Sequence, residues 1–137
     1  GGAPAAPPPP QKGGYHLFLS HVWKFGQDQS AAIKGTLGTM LPSCVVFLDV
    51  DNLQDISLLE EHVAESEVVL VFITREYISS RNCRRELVAA TRLGKPIVLL
   101  METDPQKGAA TLDSLRDERT RLRERAANRP GSFEEEE

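Results

Sequence analysis

The chain predicts an α/β fold built on a parallel sheet. Two observations carry that prediction. Residues 44–48 (CVVFL), 68–73 (VVLVFI) and 97–101 (IVLLM) are short unbroken apolar runs. Such runs, rich in β-branched residues, have the composition of strands buried on both faces, as parallel strands are. Between the runs lie longer stretches with apolar residues at helical spacing. With residues 15–20 (YHLFLS) as a first strand, the order reads β-α-β-α-β-α-β-α. Alternation of this kind gives a sheet with helices on both faces and right-handed crossovers.

Size and charge narrow the class. A length of 137 residues makes one domain with a core. The net charge of −4 gives no reason to expect nucleic acid as a partner. The two cysteines, Cys44 and Cys83, fall on a strand and at a helix start, which fits a reducing cytoplasmic setting better than a disulfide framework. No apolar run approaches the ~18 residues of a membrane span, so no direct membrane insertion is expected.

The elements justify themselves in turn. Residues 1–14 hold five prolines within their first ten; the segment tends to extended polyproline II and reads as a linker, or as a polyproline ligand. The domain proper is expected over 15–129, and an acidic tail over 130–137. After the first strand comes a polar loop, 21–29, with two exposed-looking aromatics, Trp23 and Phe25. Trp23 has two readings, packing on the adjacent helix or binding a ring. A helix over 29–41 puts Ile33, Leu37 and Leu41 on one face; Gly35 and Gly38 weaken it, and Pro42 marks its end. The second strand, 44–48, is followed by Asp49, Val50, Asp51 and Asn52. Ser57 to Glu60 fits a capping box for a helix lined by Ile56, Leu59 and Val63, with His62 on its solvent side. The third strand, 68–73, leads through a polar loop to a helix capped by Ser80 or Asn82. Cys83, Leu87 and Ala90 form that helix's apolar face, and Gly94 follows its last turn. The fourth strand, 97–101, precedes a polar loop and a charge-rich, mostly exposed helix over 112–129.

Glu86 is the first residue to read as chemical. It lies about one turn inside the third helix, beyond the C-terminal end of the central strand, the edge at which open α/β sheets bind ligands. The Asp49/Asp51 cluster suits a divalent metal in principle. A phosphoacceptor receiver of this topology needs paired acids after the first strand as well, where this chain has Ser20 and His21, so no metal site is expected. There is no glycine-rich phosphate loop, no Cys/His set at metal spacing and no local nucleophile triad. Arg81, Arg84, Arg85 and Arg92 form a basic group, read either as solvated helix residues or as a surface for an anionic ligand or acidic partner.

Four motifs, in order, make the chain resemble a TIR (Toll/interleukin-1 receptor/resistance protein) domain, most like the plant, protist and NAD-cleaving types. Phe18-Leu19-Ser20-His21 looks like the first-strand box. Val46-Phe47-Leu48-Asp49-Val50-Asp51-Asn52-Leu53 looks like the second strand and the start of the BB loop. Val69 to Ile73 matches the third strand, and Ser80, Cys83, Glu86 and Leu87 fit the S-x-x-C-x-x-E-L signature. The resemblance covers about residues 15–101. It implies a flavodoxin-like sheet, here in the order 2-1-3-4, because no fifth strand or final family helix follows Met101. The fourth strand is then an exposed edge.

For function the resemblance implies an intracellular signalling domain, alone or within a larger protein, that associates with other TIR domains and cleaves NAD+ to nicotinamide and ADP-ribose or a cyclic product. NAD+ is the substrate and no cofactor is implied. Glu86 matches the family's catalytic glutamate. Ser20, His21, Trp23, Lys24, Asp49, Asn52 and Cys83 would line the substrate site, with Lys24 at the pyrophosphate. Val50, Asp51, Leu53, Arg84 and Arg85 would form the TIR–TIR contact. One position departs from the pattern: where plant and animal members often carry tryptophan, four residues before the glutamate, this chain has Asn82. The other class of function is a non-enzymatic adaptor that works through TIR–TIR contacts alone.

Overall fold

A computed structural model of the chain describes residues 14–48 and 56–128. The elements are β1 (Tyr15–Ser20), α1 (Gln27–Met40), β2 (Val46–Leu48), α2 (Ile56–Ala64), β3 (Ser66–Ile73), α3 (Arg81–Arg92), β4 (Ile97–Met101), a 3-10 turn (Pro105–Lys107) and α4 (Leu112–Asn128). The four strands form one parallel sheet in the order β2-β1-β3-β4, the flavodoxin-like arrangement expected from the sequence. Among the described residues no fifth strand follows β4.

Strand alternation sorts the core into two layers. Phe18, Val69 and Val71 point to one face and pack with Leu59 and Val63 of α2 and with Cys83, Ala89 and Ala90 of α3. Leu19, Val46 and Phe72 point to the other, where Ile33 and Leu37 of α1 cover them. β1 and β3 are thereby covered on both faces, which the apolar run of β3 predicts.

Several boundaries move for identifiable reasons. α1 starts at Gln27, two residues ahead of its sequence expectation, because Gly26 enters the helix at φ 99°, in the left-handed region that glycine tolerates. A Cβ at Gly26 would also come within 3.0 Å of the Phe72 ring. β2 is shorter than expected. The Val45 N–H donates to Nδ1 of His16 at 2.8 Å, which takes an amide that would otherwise extend the ladder. α2 includes Ile56, so Ser57 lies within its first turn and not at a cap. His62 is a further correction. Its side chain is only 23% exposed and its ring stacks on Phe47 at 4.3 Å, three residues from Leu59 and therefore beside the apolar face. Ser80 caps α3, accepting from the Cys83 N–H, and Gly94 takes φ 66°.

Candidate functional site

The carboxyl ends of β1 and β3 meet at the point where the chain's crossovers diverge, toward β2 on one side and β4 on the other. A crevice at such a switch point is the usual ligand position in open α/β sheets. Three side chains from three segments converge there. Ser20 is the last residue of β1, Tyr77 lies in the loop after β3, and Glu86 sits in the second turn of α3. The Ser20 hydroxyl donates to Oε1 of Glu86 at 2.7 Å. The Tyr77 hydroxyl lies 2.7 Å from the same Ser20 oxygen. With the Ser20 proton directed at Glu86, Tyr77 is the donor of that second bond, and the three form a relay that ends on the carboxylate.

The relay is deeply placed. Glu86 is 6% exposed, and Ser20 and Tyr77 are buried. Burial pushes the Tyr77 phenol well above its ordinary range; Cys83 and the Glu86 carboxylate push the same way, while the Ser20 hydrogen bond opposes. Burial first and Glu86 second likewise raise the Cys83 thiol, against the hydrogen bonds of Ser80 and Ser20 and the charge of Arg84. Cys83 is thus a protonated core thiol that donates to the His21 carbonyl at 3.3 Å, not an activated nucleophile. Glu76, next to Tyr77, adopts φ 68°, a conformation uncommon for a residue with a side chain.

The other sequence-predicted residues scatter around this centre. His21 is buried and pairs through Nε2 with Oε1 of Gln27. Trp23 is 49% exposed, so the packed reading does not hold. Lys24 reaches Glu76 at 3.8 Å in an exposed ion pair of small energetic weight. Lys24 also borders a cleft of about 540 Å³ between the β1–α1 loop and the 3-10 turn, lined on opposite sides by Gly26 to Gln29 and by Gln106 and Lys107. Phe25 beside it carries the Lys24 ammonium at 5.4 Å and the Arg75 guanidinium at 5.1 Å from its ring centre. Arg84 donates to the Ile78 carbonyl at 2.9 Å, and Arg85 reaches Glu60 of α2 at 4.0 Å. Both are half-buried, whereas Arg81 and Arg92 are exposed. Asp49, Val50, Asp51, Asn52 and Leu53 lie outside the described residues, as do residues 1–13 of the linker and the acidic tail. Among the described residues no cluster of His, Cys, Asp and Glu is arranged to hold a metal ion, and no helix is long and apolar enough to cross a membrane.

Tyr77 is the member of the relay that sequence reasoning did not place there. The lone apolar-aromatic residue in the polar loop 75–81, it carried the signal of a side chain turned inward.

No family model matches the chain, and no curated protein matches it in sequence. Solved structures do match. The TIR domains of the activated Roq1 resistosome, which directly recognises the pathogen effector XopQ, align over 89% of this chain and 79% of theirs, with a TM-score of 0.55 and 22% identity. This chain has the fold of a TIR domain. A metazoan TIR-STING receptor from C. gigas aligns over 87% of this chain with a TM-score of 0.50 and 16% identity, and the match spans 41% of the receptor. The TIR fold places β1, β3 and α3 as the resemblance implies, with Glu86 at the switch point of the sheet.

Proposed function

We propose that this chain is a signalling TIR domain that acts inside the cell by associating with other TIR domains, and that it cleaves NAD+ with Glu86 as the catalytic carboxylate. The observation that carries the reading is the buried Glu86 carboxylate at the sheet's switch point, its Oε1 held by Ser20 at 2.7 Å. In the reaction the C1′–N bond of the nicotinamide ribose breaks and its electron pair leaves with nicotinamide. Positive charge then builds on the ribose. A fixed carboxylate stabilises that charge, more strongly where water is excluded. Water adds at C1′ and releases a proton to give ADP-ribose, or an adenine nitrogen closes a cyclic product. Ser20 fixes the plane of the carboxylate, and Tyr77 fixes Ser20. Lys24, which lines the cleft, would meet the pyrophosphate. The signalling role follows the solved relatives, one a resistosome and the other a receptor. Contacts with other TIR domains would use residues 50–56 and the Arg84/Arg85 region.

The adaptor reading has its own support. Glu86 is turned inward toward Ser20, and it lines neither the cleft at Lys24 nor the groove between α2 and α3. The test is NAD+ consumption by the purified chain at high concentration, displayed densely on beads, with Glu86→Ala alongside and circular dichroism to verify folding. The expected outcome is nicotinamide release that Glu86→Ala abolishes. Folded, assembled protein with no turnover, or turnover unchanged in Glu86→Ala, rejects Glu86 catalysis.

A further inference from the structure

α4 carries one acidic side chain that an exposed, charge-rich helix does not account for. Asp113, Asp117 and Glu124 are exposed, whereas Glu118 is 4% exposed. Leu122, one turn on, is the helix's other buried residue, so the two share the inner face of α4. A buried carboxylate is costly unless a donor meets it. The donor is Ser79, whose hydroxyl gives its proton to Oε1 of Glu118 at 2.9 Å.

Ser79 belongs to the tight turn that joins the relay to α3. The Ser80 N–H donates to the Tyr77 carbonyl at 3.2 Å, which makes Ile78 and Ser79 the central residues of a turn from 77 to 80. The first residue of that turn puts its hydroxyl 2.7 Å from Ser20. The last accepts from the Cys83 N–H and caps α3, the helix that bears Glu86. Both ends of the relay therefore depend on where the turn sits. Arg84 holds the turn through the Ile78 carbonyl at 2.9 Å, but Arg84 belongs to α3 and moves with it. Glu118 comes from a different element, and through Ser79 it fixes the turn from outside.

We propose that Glu118 is a positioning residue for the relay: by accepting from Ser79 it sets the 77–80 turn so that Tyr77 reaches Ser20, and Ser20 in turn orients the Glu86 carboxylate. Its effect on turnover rests on the reading of Glu86 as the catalytic carboxylate. Glu118 acts at one remove, through a hydroxyl outside the relay. Its loss lowers the rate of C1′–N cleavage and leaves the affinity for NAD+ alone, because a misplaced carboxylate fails only as charge builds on the ribose. A bond that merely fastened α4 to the loop would lower stability and nothing else.

Two measurements on the whole 137-residue chain test the proposal. The first is NAD+ turnover by bead-displayed protein. Glu118→Ala and Ser79→Ala should each lower kcat by ~10-fold or more with KM unchanged, and the double variant should fall no further than either single one. Glu118→Gln keeps an oxygen that accepts the Ser79 proton and should restore kcat. The second is 19F NMR of the fluorotyrosine-labelled chain in a Tyr15→Phe background, where Tyr77 gives the one resonance. That resonance should move toward its unfolded position in Glu118→Ala, with circular dichroism retained, and stay in place in Glu118→Gln. If Glu118→Ala does not fold, Ser79→Ala removes the same bond from the other side and gives the same two readings. A resonance unmoved by loss of the bond overturns the proposal whatever the turnover. So does an active enzyme whose kcat is unchanged, or a Glu118→Gln that behaves as Glu118→Ala does. A wild type that leaves NAD+ intact while the resonance still moves rejects Glu86 catalysis and upholds the hold of Glu118 on the relay.

Discussion

β3 reads SEVVLVFI and β4 reads IVLLM, and the two lie side by side in one sheet. Val69, Val71 and Phe72 are at most 3% exposed, while every residue of β4 is at least 37% exposed. Composition does not separate them. β3 has a strand on each side, α1 over one face and α2 with α3 over the other. β4 has one strand neighbour among the described residues. An apolar run thus states what a strand can tolerate around it, and the neighbouring elements decide whether the cover is supplied.

The largest expected effect breaks this contrast directly. Phe72→Ala removes a ring packed between Leu19, Gly26 and α1 and should cost ~3–5 kcal/mol in urea unfolding. Leu99→Ala, at a position 64% exposed, should stay within ~0.5 kcal/mol. Equal costs would mean that β4 is covered in solution by part of the same chain.

A smaller effect is expected where β3 runs on into the relay. Tyr77→Phe deletes the hydroxyl bonded to Ser20 and should cost ~1 kcal/mol. The same variant should flatten the alkaline limb of the stability profile. The folded phenol is held above its ordinary value, so its contribution is complete below the unfolded phenol's pKa of ~10 and is lost as pH rises from there toward the folded value. An unchanged alkaline limb in Tyr77→Phe would show that Tyr77 is not held protonated by burial.

The smallest effect concerns the helix that gives β3 its second cover. Gly35 lies inside α1, and a Cβ there would meet nothing within 4 Å. Gly35→Ala should stabilise the chain by ~0.5–1 kcal/mol, seen as a higher urea midpoint at unchanged slope. A loss of stability would mean that the exposed side of α1 is occupied.

What was legible in the sequence was local. The runs at β1, β3 and β4, the Ser80 cap, Gly94 after α3 and the exposed charge-rich α4 all follow from periodicity and residue type. What was not legible depends on partners far along the chain. Gly26 starts α1 early because of its close approach to Phe72, His62 is drawn in by Phe47, and β2 is shortened by the ring of His16. The candidate site divides in the same way. Glu86 could be placed on its helix from spacing and resemblance, but its hydroxyl partners come from residues 66 and nine positions upstream, Ser20 and Tyr77.

The two cysteines occupy different layers of this architecture. Cys44 is half-buried against the α1 layer, and Cys83 is enclosed between α3 and the sheet. The enclosed Cys83 thiol can be alkylated only when its layer parts, whereas the half-buried Cys44 needs no such opening. The pair therefore works as a clock with its own reference, Cys83 timing the opening of the relay side and Cys44 the reactivity of the reagent. Labelling rates followed by mass spectrometry would tell how often the relay side opens.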